Sequence, residues 1–110
     1  MTSIFDFLRE VERRPSMFVG WPDQEREKQL LSLDFVLMGY LYALHQHKIQ
    51  ERALDFRSDL GAFVRAKHGW SMPSGPIGAV LREIPDANKA WNYFWFLVWE
   101  FEKYLNERPN

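Results

Sequence analysis

The chain has 110 residues, 46% of them hydrophobic and 16% aromatic, which is the length of a single domain with ample apolar material for a core. Its 14 Lys and Arg against 15 Asp and Glu leave a net charge of −1, with the signs mixed along the chain, so there is no basic footprint for nucleic acid. Cysteine is absent, which excludes a disulfide framework or a thiolate metal site and suits a reducing, cytoplasmic setting.

Ser3 followed by Asp6 reads as a relaxed capping box, with the Asp6 carboxylate near a helix N-terminus. Ile4, Phe7, Leu8 and Val11 recur at helical spacing, so an amphipathic helix is predicted over 3–13, stopped by Pro15. Acids interrupt this first stretch, which therefore does not read as a signal peptide. Residues 13–22, RRPSMFVGWP, read as a loop whose Met17, Phe18, Val19 and Trp21 tuck across the bundle. Trp21 is either a plug in the core or an exposed contact.

A polar segment, DQEREKQ, leads into a long helix predicted at about 24–48. Leu30, Leu33, Val36, Leu37, Tyr40, Leu41 and Leu44 form its main stripe; Leu31, Phe35, Met38 and Tyr42 form a second. Two apolar faces predict packing on two sides, and Gly39 between them would admit a close helix. Asp34 is the one acid that falls where the core should be. A buried carboxylate needs a cation or several donors, and Arg13 or Arg14 are the candidate partners. Alternatively, Ser32 caps a helix that begins there and Asp34 lies in its first turn. His45 and His47 point about 200° apart on a helix and cannot share a metal, and His68 has no evident partner, so no metal site is expected.

KIQER (48–52) reads as a connector. Phe56, Leu60, Phe63 and Val64 then mark a helix near 56–68, with Asp55 as N-cap and Gly69 just past its end. WSMPSGP (70–76) is a loop with an apolar start. Ser74 or Gly75 can cap a short helix over 76–84, with Pro76 in its first turn and Ile77, Val80, Leu81 and Ile84 facing inward. Pro85 ends it and Asp86 caps the last helix, 87–107, which carries the most aromatic run of the chain, WNYFWFLVWEF (91–101). Trp91, Phe94, Trp95, Val98, Phe101 and Leu105 form its core stripe. Tyr93, Phe96, Leu97, Trp99 and Tyr104 extend the apolar surface nearly all round it, so it is either sandwiched between other helices or carries a partner on the side of Trp99 and Phe96. The run is about half the ~20 apolar residues that a membrane span requires. The tail, 106–110, is expected to fray. Together these elements predict an all-α fold: one domain, 1–110, in a compact bundle of about five helices around an aromatic C-terminal helix.

No dinucleotide-binding, phosphate-loop, zinc-protease or serine-hydrolase motif is present, and no cysteine nucleophile. Glu25 with Glu27 and Glu100 with Glu102 diverge on their helices. Neither an enzyme nor a cofactor is expected.

RRPSMFVG (13–20) resembles the R-P-G-M-Y-I-G signature near the ATP-binding domain of DNA gyrase B subunits. The rest of that ATPase equipment is missing, so ATP hydrolysis is not implied. The chain is more broadly similar to a class of small bacterial helical proteins. That resemblance runs through Arg14, Pro15, Met17, Phe18 and Gly20, then Ser32–Leu33 with a shifted Gly39–Tyr40, then Leu60, Phe63 and Val64, and last Phe94, Leu97 and Glu100. Some of those proteins look like immunity proteins encoded beside polymorphic or contact-dependent toxins. The resemblance implies a protein-binding role without catalysis. Trp21, Trp70, Met72, Phe96 and Trp99 are the candidate partner contacts. A homodimer through the aromatic face of 91–104 is the alternative, and a small-ligand pocket near Asp34 is a third reading.

Overall fold

Local sequence signals set most of the helix ends. The computed structural model describes residues 3–47 and 55–107. Among them it contains α1 (Ile4–Arg13), α2 (Pro15–Val19), α3 (Arg26–Gln46), α4 (Phe56–His68), α5 (Gly75–Glu83) and α6 (Ala87–Glu107), and no strand. The expected connector at 48–52, the last tail residues and the side chain of His45 lie outside the described residues. The all-α expectation holds.

The Ser3 hydroxyl accepts from the Asp6 amide at 3.3 Å while the Asp6 carboxylate accepts from the Ser3 amide at 3.1 Å, so the capping box closes. Asp55 caps α4 through the Ser58 amide at 3.4 Å, and Gly69 ends it in the left-handed region, at φ 74°. Asp86 accepts from the Lys89 amide at 3.0 Å and starts α6.

The predicted loop at 13–22 is a correction. Pro15 stops α1 but opens α2, because a helix's first residue needs no amide donor and proline's fixed φ already suits it. Gly20, at φ 80°, closes α2 by donating to Ser16 O at 3.1 Å. Pro15 and Val19 are buried, whereas Met17 stands in solvent.

α3 runs unbroken from Arg26, so Ser32 lies inside it and caps nothing. Leu30, Leu33, Leu37 and Leu44 are buried, with Val36, Tyr40 and Leu41 half-buried beside them. The second stripe is not packed: Leu31, Phe35, Met38 and Tyr42 are exposed by 45, 73, 41 and 67%. α2, α4, α5 and α6 pack on α3, and α1 reaches it through the Phe7–Tyr40 stack, yet all five leave these four side chains in solvent. Gly39 has open space around it rather than a neighbouring helix.

α6 is the central helix, packed on α3, α4 and α5. Phe101 gathers Phe5 of α1 and Phe56 and Phe63 of α4 at ring separations of 6.2, 5.9 and 5.4 Å. Polar contacts fasten α1 to the same helix. Arg9 donates to the Glu102 carboxylate at 2.6 Å, and the Trp99 indole donates to Glu12 at 3.0 Å.

Candidate functional site

Asp34 is paired, but neither with Arg13 nor with Arg14. Arg57, in the first turn of α4, donates Nε to Oδ1 at 2.6 Å and Nη2 to Oδ2 at 3.1 Å. The same Nη2 donates to the Ser74 carbonyl at 3.0 Å, so one guanidinium ties α3, α4 and the loop before α5 together. The hydrogen bond to Asp34 holds the Arg57 pKa above its ordinary value, against desolvation. Arg13 and Arg14 turn instead to Glu10, at 2.7 and 2.9 Å, because i,i+3 and i,i+4 neighbours share a helix face. Their hydrogen bonds, Arg13's first, hold the Glu10 carboxyl below its usual range. Arg57 also lines a depression of about 660 Å³, with Gly61, Arg65, Met72 and Pro76, and Asp34 does not line it. With both carboxylate oxygens bound in a fork, Asp34 is a brace rather than an available base.

Gln29 is the fully buried polar side chain that sequence reading missed. Its Nε2 donates to the Trp21 carbonyl at 2.7 Å and to Asp23 Oδ1 at 3.1 Å, and its Oε1 accepts from Arg26 at 2.8 Å. The only sequence signal was position: Gln29 stands in register with Leu33, Val36 and Leu37 on the core side of the helix. The lock pins the Trp21 backbone and leaves its ring outside, 40% exposed, with Nε1 donating to the Ser32 hydroxyl at 3.0 Å and Lys28 Nζ 4.7 Å from the ring. Trp21 is therefore no core plug. Gln29→Leu, which keeps the volume and removes the hydrogen bonds, is expected to cost about 1–3 kcal/mol in urea unfolding.

The sequence candidates do not form one surface. Met72 is half-buried against Gly61 of α4. Trp99 stacks on Trp95 at 5.9 Å, half-buried under Arg9. Trp70 and Phe96, however, are brought into one cluster by His68 and Tyr93, a pair that the sequence does not show. The His68 ring stacks on Trp70 at 4.1 Å and 11°, and its Nε2 shares a 2.5 Å hydrogen bond with the Tyr93 hydroxyl. Tyr93 in turn stacks on Phe96 at 5.5 Å and 21°. Phe96 is 48% exposed, with Lys67 Nζ 5.8 Å from its ring centre. Lys89, Asn92, Tyr93 and Phe96 line an open depression of about 370 Å³. The result is a fixed aromatic platform with a cationic rim.

Burial, and secondarily Glu100, raises the Tyr93 pKa above its ordinary value. The neutral hydroxyl is thus favoured in the folded state. Stability is unaffected below the unfolded-state tyrosine pKa of about 10, and falls as pH rises past it, because the unfolded chain releases a proton that the folded chain retains. In a spectrophotometric titration, Tyr93→Phe should remove phenolate signal from above the ordinary tyrosine range.

No group of three or more His, Cys, Asp or Glu among the described residues is placed to hold a metal ion. Among the same residues, no helix is long and apolar enough to cross a membrane. No family model, no curated protein and no solved structure matches the chain.

Proposed function

We propose that this chain is a protein-binding module and, in the form that its sequence resemblance implies, an immunity protein that neutralises a bacterial toxin domain by occupying it. The observation that carries the binding reading is the aromatic platform of Trp70, Tyr93 and Phe96. Its rings are held by stacking and by the His68–Tyr93 hydrogen bond, so little side-chain entropy remains to be lost on contact. Rigid aromatic anchors surrounded by polar groups are the usual composition of a binding hot spot. Lys67 and Lys89 at the rim select a partner with acidic groups around an apolar knob.

The test is capture from the native host with tagged protein at physiological salt, run beside Phe96→Glu. Phe96 is half-exposed, so the substitution leaves the core intact. The expected result is one stoichiometric partner, a toxin C-terminal fragment in the immunity version, held by the wild type and lost by Phe96→Glu. Equal retention by the variant, or recovery of the chain alone, would overturn the platform as the binding site.

A further inference from the structure

We infer that α3 pairs with α3 of a second copy of this chain, antiparallel, through the exposed ridge of Leu31, Phe35, Met38 and Tyr42. This inference is independent of the aromatic platform.

The spacing of the ridge indicates what covers it. Its four positions are separated by four, three and four residues, the a/d seam of a heptad with apolar side chains every 3.5 residues on average. A strict a/d stripe is narrower than a globular core face and is what a second helix packs against. The broader core face of α3, with Leu30, Leu33 and Leu37, already packs on its own bundle. Gly39 borders the seam beside Met38, and a Cβ built on it would meet nothing within 4 Å, so the backbone there can be approached closely.

Self-complementarity fixes the occupant and its direction. In an antiparallel pair with its two-fold axis between Phe35 and Met38, Phe35 faces Met38 of the partner copy and Leu31 faces its Tyr42. Each level then sets an aromatic ring against a flexible or branched aliphatic chain. A parallel pair would set Phe35 against itself and Tyr42 against itself. The antiparallel arrangement also places the positive N-terminal end of one α3 beside the negative C-terminal end of the other. With a net charge of −1 per chain, two copies scarcely repel.

The area matches a weak dimer rather than a standard-size interface. From exposures of 45, 73, 41 and 67% and side-chain areas on the order of 200 Å², the ridge offers roughly 450 Å² per copy. Two copies thus bury roughly 900 Å² before the flanking residues are counted, which brings the total towards the ~1,200 Å² at which specific interfaces begin. An interface of that size gives a concentration-dependent dimer rather than an obligate one.

The decisive experiment is sedimentation equilibrium from low to high micromolar protein, for the wild type and for Phe35→Glu, with circular dichroism of both. The wild-type mass should rise from one chain to two. Phe35→Glu should weaken association at least 30-fold with unchanged helix content, because a side chain 73% in solvent supports no core. A second measurement reads the direction, using the absence of native cysteine. Mixed Leu31→Cys and Tyr42→Cys chains should form the mixed disulfide, and Leu31→Cys alone should not cross-link. A monomer at every concentration would overturn the inference and leave the ridge to a different protein. A dimer indifferent to Phe35→Glu would overturn the ridge as its interface, and self-cross-linking of Leu31→Cys would overturn the antiparallel geometry. None of these outcomes touches the platform reading, which is tested at Phe96.

Discussion

Phe101→Ala is expected to lower the unfolding free energy by about 3–5 kcal/mol, more than other single substitutions considered for this chain. The ring is 2% exposed and stands where α1, α4 and α6 meet. Removing it deletes the buried apolar area and leaves a cavity that three helices would have to close together. Phe5, Phe56 and Phe63 would each lose a ring neighbour, and such contacts add about 0.5–1.5 kcal/mol beyond area alone. A domain of this size is stable by about 5–15 kcal/mol, so the variant should be marginal at room temperature and show a much lower urea midpoint. Phe35→Ala is the matched control. The residue type is the same, but its exposed ring should contribute less than about 0.5 kcal/mol when both proteins are measured dilute. Equal losses at the two positions would mean that α3, not Phe101, carries the core.

The features legible in the sequence are those set within a few residues. Ser3 with Asp6, Asp55, Gly69 and Asp86 mark helix ends because a cap is a contact over about three residues. The stripes of α3 and α6 are legible because periodicity is local too. Which stripe ends in the core is decided by the rest of the fold. α3 carries two apolar faces, the bundle covers one, and no reading of residues 26–46 alone could choose between them. Pro15 shows a different limit. Proline breaks the helix before it and suits the start of the next, so the stop was plain and the new helix behind it was not. His68 suits the last turn of its own helix, but its tertiary contact is hidden from the sequence because Tyr93, its partner, lies 25 residues away. Gln29 was hidden by its own polarity: a polar residue in helical register is ordinarily read as surface, and only the Trp21 carbonyl and its neighbours make it a core residue. The aromatic platform is invisible for the same reason, since Trp70 and Phe96 meet only through Tyr93.

Asp34→Ala is expected to cost about 2–3 kcal/mol, and Arg57→Ala a similar amount. The Asp34 side chain is 13% exposed and that of Arg57 27%, so either partner left alone holds a charge that water reaches poorly. The partial exposure of Arg57 keeps the loss below the ~3–5 kcal/mol of a fully enclosed pair. The double variant Asp34→Leu with Arg57→Met should recover much of the loss, because an apolar pair of similar volume avoids desolvating two charges. Asp34→Ala with Arg57→Ala closes the cycle, and a coupling free energy near zero there would contradict the brace. Gly75 supplies a second, independent probe. Its φ is 81°, and a Cβ there would lie 2.6 Å from Arg57 Nη2. Gly75→Ala therefore carries about 1–2 kcal/mol of left-handed strain and also pushes the guanidinium off Asp34. In an Arg57→Met background only the strain should remain, so the two substitutions should be less than additive. The same cycle separates structure from chemistry at the site. An acid kept for binding or catalysis typically burdens the fold, and its removal leaves stability unchanged or raised. A loss on removing Asp34 that disappears when Arg57 goes with it is the signature of a carboxylate whose work is to join α3 to α4.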